Sequence, residues 1–369
     1  MSKDGIIAIT MPKWGLSMQE GKVMEWLAEE GATLKLGTPV MDIETEKIAN
    51  TFEALDAGIL RRKVAQPDDV LPIGALLGVI APAEVDDAAI DAFIAEFQAN
   101  YVPPAEDEAE GGGGWQEVEA AGYRLRYSTM GEGARHVVLV HGFGGDADRW
   151  AFTQEPLAAQ ATVWAFDLPG HGQSSKQVRD GSVAALAEVV VAFMDAVGID
   201  QAELVGHSLG GAIALQTAIA HPDRVSGLAL IAPAGLGPEI NGDYLAGFIA
   251  CDNRKEMKGL LQQLVADPEL VGRQLVADML AYKRIDGVPE ALATIAAGFT
   301  AGGRQCVDLR GGLAGLSMPV KVVWGDQDRI IPASQAAGLP ANVSTHVLKG
   351  YGHLVQLEAV GEVNALLGA

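Results

Sequence analysis

Cysteine is nearly absent: Cys251 and Cys306 are the only two in 369 residues. So few thiols exclude a disulfide framework or a Cys-rich metal site, and they suit a reducing, cytoplasmic setting. Basic residues are scarce as well. Against 48 Asp and Glu stand 26 Lys and Arg, so the formal net charge is −22. A surface this acidic repels phosphate backbones and anionic lipid, which argues against nucleic acid or a membrane as partner and leaves partners with basic patches. The start, Met1-Ser2-Lys3-Asp4-Gly5, runs into alternating residues without a basic segment or an apolar core, so no secretory leader is expected. Long uncharged runs are missing too. The longest stretch without Asp, Glu, Lys or Arg, Leu204 to Pro222, carries His207, Ser208, Gln216 and the pair Gly210-Gly211, which suits a buried strand and helix rather than a membrane span. Hydrophobic residues, at 49%, are plentiful, and the length suits two domains.

The segment from Ala83 to Gly114 divides the chain. It holds nine acidic residues and no Lys or Arg, and ends in Pro103, Pro104, the acids from Glu106 to Glu110 and four glycines. Its end reads as a mobile linker. Its first half differs, because Ile90, Phe93, Ile94 and Phe97 recur at helical spacing; Val85 to Gln98 is expected to form a short amphipathic helix, docked on a neighbouring domain in preference to recruiting a partner.

Residues 1–82 repeat on themselves at an offset of 37. Gly21 falls on Gly58, Val23 on Leu60, Leu34 on Leu71, Leu36 on Ile73, Gly37 on Gly74, Val40 on Leu77 and Ile43 on Ile80. Each copy is a few short strands punctuated by glycine, too little to bury its own apolar face, so the copies should pair as a small β-sandwich or flattened barrel. Between them, two strand-like runs from Val40 to Phe52 meet around Glu46-Lys47, which places Lys47 at a hairpin tip. A lone lysine there is an ordinary surface residue unless its context says otherwise. The run Glu44-Thr45-Glu46-Lys47-Ile48-Ala49 resembles the modification hairpin of lipoyl domains, and the resemblance covers residues 4–82. Biotin carriers share this fold but flank their lysine with methionines, where this chain has Glu46 and Ile48. The resemblance implies covalent lipoate on Lys47.

From Trp115 onward a hairpin (Trp115–Glu119, Tyr123–Thr129) precedes buried strands at Val137–Val140, Val163–Phe166, Glu203–Val205, Leu228–Ile231 and Val320–Trp324, with helices near 182–197 and 209–220. Apolar strands alternating with helices imply a mostly parallel sheet covered on both faces. Gly206-His207-Ser208-Leu209-Gly210 lies between such a strand and helix, the setting a G-x-S-x-G nucleophile elbow requires; a serine that only caps the helix is the alternative. A serine nucleophile needs a base, an acid to orient it and donors for the oxyanion. His353 lies in Gly350-Tyr351-Gly352-His353-Leu354 after a short strand near Thr345–Leu348. Asp326 and Asp328 both follow the strand ending at Trp324. His141-Gly142-Phe143-Gly144-Gly145 follows another strand, and its glycines let backbone N–H groups point at an oxygen; with Asp167-Leu168-Pro169-Gly170-His171-Gly172 it completes a set that resembles the α/β-hydrolase superfamily over residues 115–369. That resemblance selects Asp328 over Asp326 as the acid of a Ser208, Asp328, His353 triad, and Phe143 and Leu209 as oxyanion-hole donors.

Between Gly235 and about Gly303 helical segments replace the strands, reading as a lid inserted at about 236–303. Arg254, Lys255, Lys258, Arg273, Lys283, Arg284 and Arg304 fall in or just after it; they read as solvated helix faces in preference to a site for coenzyme A phosphates. The fold expected is therefore a small all-β lipoyl-type domain (1–82), a linker (83–114) and an α/β-hydrolase fold with a helical lid (115–369).

Joined in one chain, these parts resemble the lipoyl-bearing acetyltransferase subunits of acetoin dehydrogenase complexes. The resemblance implies transfer of acetyl from S-acetyldihydrolipoyl-lysine to coenzyme A through an acyl-serine, with thiamine-diphosphate-dependent dehydrogenase subunits and lipoamide dehydrogenase as partners. The linker from Asn100 to Gly114 can extend roughly 50 Å, at about 3.3–3.6 Å per residue, so delivery within one chain is feasible. The chain departs from other 2-oxo acid dehydrogenase acetyltransferases. It lacks their His-x-x-x-Asp-Gly signature, since His353 is followed by Leu354-Val355-Gln356-Leu357-Glu358, and shows no peripheral subunit-binding domain before Trp115. Two rivals stay open: a lipoyl-tethered thioesterase that releases free acid, and a lipoyl carrier whose hydrolase-like body is only a scaffold.

Overall fold

The computed structural model describes residues 5–12, 19–35, 37–44, 49–54, 56–102 and 114–369, in two compact units, 1–111 and 112–369. The first unit has eight strands among its described residues: β1 (Ile7–Thr10), β2 (Glu20–Trp26), β3 (Thr33–Leu34), β4 (Pro39–Glu44), β5 (Ala49–Glu53), β6 (Gly58–Lys63), β7 (Val70–Pro72) and β8 (Leu76–Ala81). They form two four-stranded sheets, ordered β1-β8-β6-β3 and β5-β4-β2-β7. The offset of 37 relates β2 to β6, β3 to β7 and β4 to β8, so each sheet is the image of the other. The repeated apolar positions explain why neither sheet stands alone. Val23, Leu34, Val40, Ile43, Leu60, Leu77 and Ile80 all lie in one buried cluster between the sheets.

Helix α1 (Asp87–Asn100) starts two residues later than its apolar spacing suggests, because the Asp86 side chain accepts the Ala89 N–H at 2.7 Å and caps it there. It docks within its own unit. Ile90 is fully buried, in a cluster with Ile6, Leu76, Val79 and Ala81, and Phe93, Ile94 and Phe97 pack against them. Burying Ile90 alone is worth about 1.5–3 kcal/mol. Beyond the helix, the Tyr101 hydroxyl donates to the Ile73 carbonyl at 2.7 Å. The expectation for Lys47 falls on residues 45–48, outside the described residues; the paired ends that those four residues join, Glu44 opposite Ala49, are in antiparallel register.

In the second unit, β9 (Gln116–Ala120) and β10 (Tyr123–Met130) form the expected hairpin. There follow β11 (His136–Val140), α2 (Ala151–Ala158), β12 (Thr162–Phe166), α3 (Val183–Ala196), β13 (Ala202–His207), α4 (Leu209–Ala220) and β14 (Val225–Ile231). An insert of helices α5 (Gly242–Ala250), α6 (Arg254–Leu261), α7 (Arg273–Lys283) and α8 (Val288–Phe299), with the short pair β15 (Thr300–Ala301) and β16 (Arg304–Gln305), comes next. The chain closes with β17 (Val320–Gly325), β18 (Val343–Leu348), α9 (Val355–Glu358) and α10 (Val360–Leu367). The sheet order is β9-β10-β12-β11-β13-β14-β17-β18, parallel from β12 to β18.

Strand β11 lies between β12 and β13, so the chain turns in opposite directions on its two sides and leaves a crevice at the carboxyl ends of the central strands. Strand β13 runs two residues past its apolar core, because Gly206 and His207 keep pairing with Leu230 and Ile231; regular structure therefore reaches to the residue before Ser208. No helix among the described residues is long and apolar enough to cross a membrane.

Candidate active site

Ser208 stands between β13 and α4 with φ 55° and ψ −118°, a conformation an L-residue adopts only when its surroundings enforce it. Here they do. Its N–H donates to the Ile231 carbonyl at 2.9 Å, and its own carbonyl accepts from Gly211, Ala212 and Ala234 at 3.0, 3.2 and 3.0 Å. The turn needs glycine on both sides. A Cβ on Gly206 would lie 2.3 Å from the Gly210 carbonyl oxygen, and one on Gly210 would lie 2.2 Å from that of Val140.

His353 and Asp328 meet beside it, with Nδ1 2.7 Å from Asp328 Oδ2 and both side chains buried. The carboxylate is held from every side: Trp324 Nε1 donates to Oδ2 at 3.0 Å, and the N–H groups of Ile330 and Ile331 donate to Oδ1 at 2.8 and 2.9 Å. Asp326 does something else. Its Oδ1 accepts the Gly350 N–H at 2.7 Å and so shapes the loop that carries His353. His207 also serves that loop, since Nε2 lies 2.9 Å from the His353 carbonyl oxygen. Burial first, and the neighbouring His353 second, push the His207 pKa well below the ordinary range, so His207 itself brings no charge to His353.

The glycine loop after β11 lies against Ser208, for a Cβ on Gly142 would come within 3.0 Å of the Ser208 Cβ. Two buried histidines hold it. His141 Nε2 accepts the Leu168 N–H at 3.0 Å, His171 Nε2 accepts the Gly144 N–H at 3.1 Å, and each Nδ1–H faces a carbonyl, of Gly142 and Pro169. Both must be neutral to accept in this way. Burial lowers both pKa values, that of His171 to about 3, with the neighbouring His141 adding to the shift. Below them, burial raises the pKa of Asp167, but the Arg126 guanidinium 2.7 Å away and further donors outweigh it and hold the carboxyl below its usual range. Leu209 N–H is the first of α4 and has no carbonyl within its helix. Phe143 and Leu209 thus flank Ser208 from the loop and the helix.

Ser208, His353, Gly142 and Phe143 line one cavity of about 40 Å³, roofed by Tyr244, Phe248, Leu264, Met279 and Phe299 from the insert and its surroundings. The seven basic residues of the insert region do not line it. Arg254, Lys255, Lys258, Arg273, Arg284 and Arg304 are exposed, whereas Lys283 is buried, donating to the Cys251 carbonyl with its ammonium 5.6 Å from the Phe248 ring centre.

Three positioning groups were not singled out by the sequence. Trp324 was seen only as a strand end, and Arg126 only as part of the hairpin. Glu358 lies five residues after His353. Its Oε2 accepts the Gly352 N–H at 2.7 Å and its Oε1 the Ala266 N–H at 2.6 Å, so one carboxylate joins the His353 loop to the insert. The Leu354 N–H adds a second tie, to the Leu264 carbonyl at 3.0 Å. The one charged residue in the run Leu354 to Val360 was the available signal.

Two family models match the chain, one described as biotin-requiring enzyme over residues 7–80 and one as alpha/beta hydrolase fold over 135–360. The dihydrolipoyllysine-residue acetyltransferase component of the acetoin cleaving system from Cupriavidus necator is 48% identical over 364 residues, 98% of this chain and 96% of that protein. Its namesake from Pseudomonas putida is 48% identical over 97% of this chain and 96% of its own. Among solved structures, a meta-cleavage product hydrolase from Pseudomonas fluorescens superposes on 68% of this chain and 95% of its own with a TM-score of 0.63; at 24% identity this likeness concerns the fold.

Proposed function

The chain belongs to the family of dihydrolipoyllysine-residue acetyltransferase components of acetoin cleaving systems, and from that premise we propose that it passes acetyl from a dihydrolipoyl thioester to coenzyme A through Ser208. The observation that carries the chemistry is the His353–Asp328 pair at 2.7 Å, in the cavity that Ser208 and the Gly142-Phe143 loop also line.

Lys47 would hold lipoate, which would supply the thioester at the end of a long arm. The fit rests on the strand register: Glu44 pairs with Ala49, the two described residues on either side of the four that include Lys47. In the second unit, Ser208 Oγ gives its proton to His353 Nε2 and attacks the thioester carbonyl, while Asp328 balances the imidazolium charge. The carbonyl oxygen takes the negative charge between the N–H groups of Phe143 and Leu209. As the carbonyl re-forms, the C–S bond breaks and His353 returns the proton to the departing sulfur. The coenzyme A thiol then repeats the steps in reverse: its proton goes to His353, a C–S bond forms, the serine C–O bond breaks and Ser208 recovers its proton.

The size of the cavity supports a short acyl group, since 40 Å³ is room on the scale of a few waters, at ~10–15 Å³ for each. The partners this role calls for are a thiamine-diphosphate-dependent dehydrogenase that loads the arm and a lipoamide dehydrogenase that reoxidises it, in the cytoplasm. The test supplies purified, lipoylated chain with S-acetyldihydrolipoamide and coenzyme A, and follows acetyl-coenzyme A and acetate separately, beside Ser208→Ala. Serine-dependent acetyl-coenzyme A is expected. Acetate alone would make the protein a tethered thioesterase, and transfer unchanged by Ser208→Ala would reduce the hydrolase-like body to a scaffold.

A further inference from the structure

A hydrolase-type triad offers the acyl-serine to water as readily as to a thiol, so a transferase needs something that favours sulfur. Among the described residues that line the cavity, one outside the triad is a standing cation. Arg149, on the short turn that follows the glycine loop, lines the cavity with Ser208 and His353. It is half-buried. Its one polar side-chain contact is Nη2 to the Met279 thioether at 3.9 Å, and no carboxylate pairs with it among the described residues. Its neighbour Arg126, by contrast, is neutralised by Asp167 and Asp148. Arg149 also sits close enough to the chemistry for its charge to lower the pKa values of His207 and His141.

An unpaired guanidinium in a largely apolar cavity is costly unless a ligand brings negative charge to it. In acetyl transfer two negative charges arise here. The carbonyl oxygen has its donors in Phe143 and Leu209. The phosphates of coenzyme A lie at the far end of the pantetheine arm, beyond a cavity of this size. The sulfur remains, as a leaving thiolate in the first half of the reaction and an attacking one in the second.

We propose that Arg149 is the catalytic residue that receives the negative charge of the exchanging thiol, steering the acyl-serine toward thiols and away from water. The inference rests on the acetyl-transfer function above. In the first half-reaction the C–S electron pair leaves on sulfur beside the guanidinium before His353 protonates it; in the second, the thiol proton passes to His353 while the guanidinium holds the sulfur that forms the new C–S bond. A free thiol ionises near pH 8.5, and a neighbouring cation lowers that value. Each unit of lowering raises the thiolate fraction near neutrality about 10-fold and leaves water unaffected.

The measurement is the ratio of acetyl-coenzyme A to acetate formed from S-acetyldihydrolipoamide, across pH 6–9, for the lipoylated full-length chain, Arg149→Gln and Arg149→Lys. Arg149→Gln is expected to lower the ratio about 10-fold and to move the rise of transfer with pH upward by about one unit; Arg149→Lys should recover most of both. A structural defect slows both products together and leaves the ratio unmoved. An unchanged ratio and pH profile in Arg149→Gln, with the unsubstituted chain making acetyl-coenzyme A, would overturn the inference alone. Acetate as the only product of the unsubstituted chain would overturn the transfer function itself, and this inference with it.

Discussion

Every buried polar or charged side chain among the described residues belongs to the second unit, from Arg126 to Asn364; the first unit buries apolar side chains only. All seven histidines are in the second unit as well. A buried polar group costs stability unless each of its hydrogen bonds is made, so a fold keeps such groups where their placement matters. The first unit is built like a handle, two copies of one strand pattern around an apolar core, and its reactivity comes from what is attached to it. The second does chemistry in place, and stabilising contacts from across the fold go into holding one serine, one histidine and one loop.

The largest effect expected from this division separates carrying from catalysis. Lys47→Arg removes the proposed attachment point but should leave turnover of free S-acetyldihydrolipoamide close to that of the parent, whereas Ser208→Ala should lower it by ~10³-fold or more. Loss of free-substrate turnover in Lys47→Arg would break the comparison, because the first unit would then take part in the chemistry itself.

Stability should divide in the same way. Asp167→Asn takes from the buried Arg126 the nearer of its two carboxylate partners, 2.7 Å away, leaving Asp148 at 3.5 Å, and should cost the second unit about 3 kcal/mol. Urea unfolding followed by residue-resolved hydrogen exchange should show that loss in residues 114–369 and not in 5–102.

How much of this was legible in the sequence follows the same line. The internal repeat exposed the sandwich because each copy writes its buried face into matched positions such as Val40 and Leu77. The elbow could be found because Gly206, Ser208 and Gly210 are adjacent in sequence. Asp326 and Asp328 could not be told apart from the residues alone, since both follow the same strand; the difference lies in which carboxylate meets Trp324 Nε1 and the Ile330 and Ile331 N–H groups, a matter of tertiary packing. Glu358 and Arg149 went unnoticed because each has a partner far along the chain, Ala266 at 92 residues and Met279 at 130. Local pattern locates the reacting groups, whereas the groups that aim them are recruited across the fold.

Acid sharpens the comparison next. His141, His171 and His207 are buried with lowered pKa values, that of His171 about 3, against 6.5 for a free imidazole. Between those values the unfolded chain binds the protons that the folded one refuses. Their contribution is therefore complete above about pH 6.5 and is lost as pH falls below it. For His171 the cost is about 1.4 kcal/mol per pH unit, or about 2 kcal/mol by pH 5, and the other two add to it in the same direction. The first unit, with no histidine, should hold its stability across this window; equal loss in both units would show that the histidines are not its source.

The smallest effect is the most local. Glu358 accepts from Gly352 with one oxygen and from Ala266 with the other, and burial raises its pKa against the pull of those backbone donors. Glu358→Gln keeps the shape but replaces one acceptor with an amide NH₂ group, which cannot receive a backbone N–H. One contact fails and the other stays, at a cost of about 1–3 kcal/mol. If the carboxylate only stabilises the fold, kcat is unchanged at a temperature where the variant is folded. If it aims His353, kcat falls several-fold with KM nearly constant, and Glu358→Asp, which keeps the charge but shortens the reach, falls at least as far. A change in KM alone would locate the effect in the insert that roofs the cavity, and would separate the shaping of the pocket from the placement of the base.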